Sequence, residues 1–173
     1  GTFSSPTDIT RVDAGQSNVG RIDIRGFDFE ASYRLPLSDI SAPMAGALGF
    51  RFLVNHQYDF IVTQSPAVPA VDYAGQSGPV VDGGDFNPTP KWMWNALVSY
   101  DTDRFNATVT VRHVGKGKLN ADWIGPEDPG YDPTLAKSVS TNRVDSATYV
   151  NLALSYEIPF GNGDDSVEVF GTI

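Results

Sequence analysis

From Ala147 to Phe160 the chain alternates without a break. Thr148, Val150, Leu152, Leu154, Tyr156 and Ile158 fall on one side; Tyr149, Asn151, Ala153, Ser155 and Glu157 fall on the other. A period of two sends successive side chains to opposite faces of a β-strand. One face is therefore apolar from its second residue on, and the other is mostly small or polar. The apolar face carries an aromatic, Tyr156, just before Pro159 and the turn Gly161-Asn162-Gly163-Asp164. A strand this long with one greasy and one wet face suits two architectures. It can line a soluble β-sandwich, or cross an outer membrane with its apolar side to lipid.

No apolar run approaches the roughly 20 residues that a membrane helix needs. With 17 Gly and 12 Pro and few helix-period segments, the chain reads as all-β. Its formal net charge of −9 argues against nucleic acid or an anionic lipid surface as partner. Cys is absent, so disulfides, thiolate metal sites and cysteine nucleophiles are excluded together. The opening residues Gly1-Thr2-Phe3-Ser4-Ser5 do not resemble a signal peptide. A mean hydropathy of −0.21 sounds soluble. That average misleads for barrels, whose polar inner faces and loops dilute the lipid-facing half.

Read in order, Thr2 to Val19 is polar and Gly/Ser-rich, and reads as a loop or the tail of an earlier element. Gly20 to Leu37 is a strand whose apolar phase changes: Ile22 and Ile24 are even, Phe27, Phe29, Ala31, Tyr33 and Leu35 odd. Gly26 stands at the switch and marks a bulge or an edge of the apolar band. After a turn at Pro36–Pro43, a strand from Ala45 to Val62 places Leu48, Phe50, Phe52, Val54, Tyr58, Phe60 and Val62 on one face. It is longer than the usual sandwich strand of about five or six residues. Strands Lys91–Asp101 and Phe105–Lys116 flank a tight hairpin turn, Asp101–Arg104, and a last strand runs from Val167 to Ile173.

Connections alternate in length. Pro36–Pro43, Asp101–Arg104 and Pro159–Asp165 are short; Thr63–Pro90 and Gly117–Ser146 are long. Loops of that length are uncommon in compact soluble domains, whereas short turns at one end and long loops at the other characterise outer-membrane barrels. Aromatics gather at both ends of the strands. Tyr33, Phe50, Tyr100, Phe105, Tyr156 and Phe160 lie near the short turns, and Tyr58, Phe60, Trp92 and Trp94 near the long loops. An aliphatic band between two aromatic girdles is what a bilayer selects. On this pattern Val109, Val111, Leu152 and Leu154 face lipid, and Thr108, Thr110, Asn151 and Ser155 face the lumen.

Four stretches carry a resemblance. They are Asn18-Val19-Gly20 running into Arg25-Gly26-Phe27-Asp28-Phe29-Glu30-Ala31-Ser32-Tyr33-Arg34-Leu35; Gly46-Ala47-Leu48-Gly49-Phe50-Arg51-Phe52-Leu53-Val54-Asn55; Pro90-Lys91-Trp92-Met93-Trp94-Asn95; and Tyr149-Val150-Asn151-Leu152-Ala153-Leu154-Ser155-Tyr156. In this order the chain resembles the C-terminal part of the barrel of TonB-dependent outer-membrane receptors. The resemblance implies antiparallel up-and-down strands within a transmembrane barrel of about 22 strands. It also implies short periplasmic turns, long extracellular loops and location in the bacterial outer membrane. Residues 1–173 are then expected to form about six strands of the barrel, with the plug and C-terminal strand not represented. The implied partners are outer-membrane lipid, the remaining barrel and plug, the TonB complex through an N-terminal region, and a small-molecule ligand; no nucleic acid is among them. The implied function is transport of a scarce nutrient, an iron–siderophore or a carbohydrate, with no enzymatic activity and no cofactor.

Candidate chemistry within the chain is sparse. Asp28 and Glu30 share a strand face, as some glycosidase carboxylates do, but no third acid completes a motif. The plainer reading is a lumen wall paired with Arg34 or Arg51. His56 and His113 have no second ligand at metal spacing, so no catalytic and no metal residue is assigned. Ligand-binding candidates come from the long loops: Tyr73, Asp82, Asp85, Trp123 and Tyr131. Aromatic faces beside hydroxyl-seeking carboxylates suit a sugar or a neutral chelate. An anionic catecholate would prefer Arg and Lys, of which Thr63–Pro90 has none and Gly117–Ser146 only Lys118, Lys137 and Arg143. Two other classes stay open. One is a soluble β-sandwich carbohydrate-binding module stacking sugars on Trp92, Trp94 and Trp123; the other is a β-sandwich glycosidase using Asp28 and Glu30.

Overall fold

The computed structural model describes residues 20–41, 43–65, 68–78, 89–161 and 165–173. Its main sheet is antiparallel, and its long strands follow one another as neighbours: β1 (Arg21–Pro36), β2 (Ala47–Thr63), β4 (Trp92–Asp101), β5 (Phe105–Val114), β8 (Ala147–Phe160) and β9 (Asp165–Thr172). A short β3 (Val71–Asp72) pairs with the end of β2, and β6 (Gly117–Lys118) pairs with β7 (Arg143–Val144) in a separate ribbon. The strand periods read from the sequence survive with small changes at the ends. β5 stops at Val114 instead of Lys116, with one more bond in register beyond it, from the Gly115 N–H to the Trp92 carbonyl at 2.7 Å. The last strand begins at Asp165, two residues before Val167.

Residues paired across an antiparallel ladder share a face, so the registers extend each strand's alternation across the sheet. One face collects Tyr33, Phe50, Val98, Val109 and Leu152 in a row; another of its rows runs Ala31, Phe52, Ala96, Val111 and Val150. A third runs Leu35, Leu48, Tyr100, Ala107 and Leu154. These rows hold no charged residue. The opposite face collects Glu30, Leu53, Asn95, Arg112 and Tyr149, then Ser32, Arg51, Leu97, Thr110 and Asn151. Polarity thus divides by face over five adjacent strands.

Among the described residues nothing packs against the apolar face. Phe50, Val98 and Leu154 are each about two-fifths exposed, at 41%, 42% and 41%. Among the described residues the buried apolar side chains are Leu37, Ala47, Phe60, Val62 and Tyr73, and none is at the centre of the sheet. A β-sandwich needs a second sheet over the apolar face, and the described residues supply none. Both sandwich alternatives lose their basis here. A single-layer sheet with a charge-free aliphatic face is instead complete only when lipid covers that face.

The phase change at Gly26 is a bulge, but the extra residue lies on the partner strand. Arg25 pairs with Asp59 and Gly26 with Gln57, leaving Tyr58 without an opposite number. Gly26 is required there, since a Cβ would come within 2.5 Å of the His56 carbonyl oxygen. The insertion inverts the alternation of β2 beyond it. Tyr58 stays with the apolar face, its ring near Phe27 and His56. Phe60 and Val62 turn to the other face, pairing with Ile24 and Ile22. The expectation that Phe60 and Val62 continue the apolar face of Leu48–Val54 is therefore corrected. They are buried, at 6% and 2% exposure, against Tyr73 of the first long loop, with Val71, Ala74 and Ala121 packed around them.

Candidate functional site

The two long connections fold onto one another beyond this bulge. The main chain of the first reaches that of the second at three points: Ser77 N–H to Lys118 O (2.8 Å), Gly78 N–H to Leu119 O (3.0 Å) and Lys118 N–H to Gly75 O (2.9 Å). Approach this close needs glycine: a Cβ on Gly117 would run into the Gly75 carbonyl oxygen, and one on Gly78 into that of Leu119.

Buried amides complete the joint. Gln76, 1% exposed, accepts the Ala121 N–H at 2.7 Å and donates to Gly78 O at 3.2 Å. Asn142 is fully buried and satisfied on both sides of its amide. Its Oδ1 accepts the Asn120 N–H at 3.0 Å, and its Nδ2 donates to the carbonyls of Asn120 (3.0 Å) and Trp123 (2.8 Å). Buried polar groups with every partner in place hold one geometry, so these loops form a built platform with side chains in fixed places.

Ion pairs and Asx turns finish the surface. The Asp128 carboxylate accepts from Lys118 Nζ at 2.6 Å and from the Gly125 N–H at 3.0 Å. Lys118 first, then Gly125, holds its pKa below the usual carboxylate value. Asp132 is lowered likewise by the Thr134 backbone N–H and hydroxyl. Lys91 approaches Asp72 at 3.8 Å, and Arg143 meets Asp145 at 2.7 Å.

A cavity of about 520 Å³ opens where the loops meet the ends of β4 and β5. Its charged lining is Lys91, Lys116, Lys118 and Arg143 with Asp72 and Glu127, and Gln76 adds an amide. The volume is within the usual range for small-molecule sites, about 300–1,000 Å³. Sequence reasoning passed over most of these residues. Lys91 and Lys116 belong to strand ends, where the β4–β5 register runs on toward them, and the β6–β7 ribbon sets Arg143 opposite Lys118.

The structure separates the five ligand candidates. Tyr73 is 4% exposed and packs on Phe60 and Val62 beneath the loops, as a support of the platform. Trp123 is exposed, with its carbonyl held by Asn142, and Tyr131 is half-buried in the same connection. None of these three lines the cavity. Asp82 and Asp85 lie outside the described residues.

Elsewhere, on the polar sheet face, Asp28 and Glu30 are both partnered. Glu30 binds Arg51 at 2.8 Å, as its position across the hairpin suggests, but Asp28 accepts from Asn55 Nδ2 at 2.7 Å and makes no pair with Arg34. On the apolar face His56 stacks on Trp92 with centroids 3.8 Å apart, and His113 on Trp94 at 5.2 Å. This uses both indoles within the aromatic girdle. No three His, Asp or Glu side chains converge as a metal set among the described residues.

No curated protein and no solved structure matches the chain. The family model described as "TonB dependent receptor-like, beta-barrel" matches residues 2–173. That match joins the charge-free sheet face, the polar opposite face and the alternating short and long connections into one assignment: the chain belongs to the TonB-dependent receptor-like β-barrel family, whose members are transporters of the bacterial outer membrane.

Proposed function

We propose that these strands form one arc of a larger closed barrel, and that the receptor takes up a scarce small molecule, an iron–siderophore or a carbohydrate, with energy relayed by TonB. The observation that carries this reading is the division of the sheet. Between the short turns and the Gly26 bulge a charge-free face runs over five adjacent strands, backed by a face bearing Asp28, Glu30, Arg51 and Arg112. Lipid on one side and a hydrated, plug-filled lumen on the other satisfy both.

On this reading the two connections meet the ligand outside the cell. Trp123 and Tyr131 offer aromatic surface, and Asp82 and Asp85 offer acceptors for hydroxyl groups; Tyr73 holds the loops in place from below. The short turn between β4 and β5 then faces the periplasm. Growth on limiting iron or on a single glycan, with and without the intact gene in a TonB-energised host, tests the assignment. Uptake should vanish on deletion and equally on loss of TonB. Uptake that persists without TonB, or a receptor found outside the outer-membrane fraction, refutes it.

A further inference from the structure

We propose that the cavity between the two long connections binds the anionic group, carboxylate or phosphate, of the transported ligand. The inference rests on the transport reading above and deepens it. Four cations converge on the cavity from three separated parts of the chain: Lys91 at the start of β4, Lys116 and Lys118 after β5, and Arg143 on β7. Against them the lining itself has two acids, Asp72 and Glu127, in a chain whose net charge is −9.

Two further acids lie just outside, Asp128 on Lys118 and Asp145 on Arg143. These pairs orient the cations without using up their donors, since an ammonium has three N–H groups and a guanidinium five. Lys116 has no carboxylate partner among the described residues, so none of them draws on its ammonium. Gly75, Gly117, Ala74 and Ala121 leave the space between the cations clear of bulky side chains. The buried Gln76 and Asn142 amides hold the walls before the ligand arrives, which lowers the ordering cost of binding.

The count of Arg and Lys weighed against a catecholate covered Thr63–Pro90 and Gly117–Ser146, and Lys91 and Lys116 fall just outside those segments. Through the β4–β5 and β6–β7 registers, those two lysines belong to the same site as Lys118 and Arg143.

The test is direct calorimetric titration of the purified full-length receptor with citrate, with inorganic phosphate, and with glucose as the neutral comparison. At least one anion should bind at least about tenfold more tightly than glucose, and raising salt from about 50 to 500 mM should weaken it severalfold. Which anion binds tells carboxylate from phosphate recognition. The double variant Lys116→Gln/Arg143→Gln should lose at least about tenfold in anion affinity. Glu127→Gln, which removes a repelling acid without touching the fold, should tighten binding by a few fold. Failure of both anions to outbind glucose overturns the proposal. So does unchanged affinity in the double variant, or weaker binding in Glu127→Gln. TonB-dependent uptake that survives such a result leaves the transport reading standing, so the two fail separately.

Discussion

Replacing Leu152 by Arg probes the sheet's division of faces most directly. Leu152 pairs with Val109 on β5, and its N–H and carbonyl are both bonded to Ile173, at 3.0 and 2.9 Å, so the backbone there is firmly placed. It lies four residues from Thr148, level with the Trp94–His113 stack, and four from Tyr156 at the other girdle. Midway between girdles is the bilayer midplane, where Arg on the lipid face costs about 2–4 kcal/mol, falling to about 0–1 near the interfaces. Leu152→Arg should therefore shift the unfolding equilibrium by roughly 30- to 1,000-fold. Tyr156→Arg should cost only the interfacial amount. Asn151→Arg, one residue away and facing Thr110 across the ladder on the polar side, should cost far less than Leu152→Arg. The assay is denaturant unfolding of the receptor in lipid vesicles, followed by Trp fluorescence. Equal cost at positions 151 and 152 would show that the faces are wrongly assigned.

Asn142→Ala removes the acceptor for Asn120 N–H and the donor for two carbonyls, so it should cost the platform about 1–3 kcal/mol for each buried group left bare; faster amide exchange at Asn120 and around Trp123 would report it, and unchanged exchange would discount the amide joint. Because the Asp128 pKa is depressed, its contribution is present above the unfolded value and disappears as pH falls through the folded value. Protease cutting within Gly117–Ser146 should thus rise steeply below the ordinary carboxylate range in the parent and more gradually in Asp128→Asn. A Cys placed at Asp103 should resist an impermeant thiol reagent on intact cells while one at Thr134 reacts; labelling at 103 would invert the proposed topology.

The long strands were legible because one physical rule, two-residue alternation against lipid, governs their paired rows between the short turns and the Gly26 bulge. That rule fails at a single inserted residue. Tyr58 has no partner, and parity beyond it reverses, so Phe60 and Val62 were assigned to the wrong face although their apolar character was plain. The loops obey no period at all. Gln76 meets Ala121 across 45 residues and Asn142 meets Asn120 across 22, and nothing in Gln or Asn by itself marks which amide will be buried. Composition labelled these segments polar and irregular. Their order comes from specific long-range hydrogen bonds that a linear pattern does not encode. The cavity was hidden in part for the same reason: its cations are set side by side by the β4–β5 and β6–β7 registers, but the wall from Asp72 to Gln76 closes on them only through those bonds.

The spacing of the aromatic girdles has a consequence for where such a protein can reside. Trp92 and Tyr100 are eight residues apart on β4, about 27 Å along the strand at roughly 3.4 Å per residue. A tilt of about 40° reduces this to a height of about 21 Å. A typical hydrocarbon core is about 30 Å thick, and every ångström of mismatch carries a fraction of a kcal/mol. In a membrane of ordinary thickness the lipid around these strands would have to compress, whereas in the thinner bacterial outer membrane it lies closer to relaxed. The ruler formed by Trp92 and Tyr100 thus acts as a thermodynamic sorting signal, one that penalises residence in thick bilayers without any receptor reading an address.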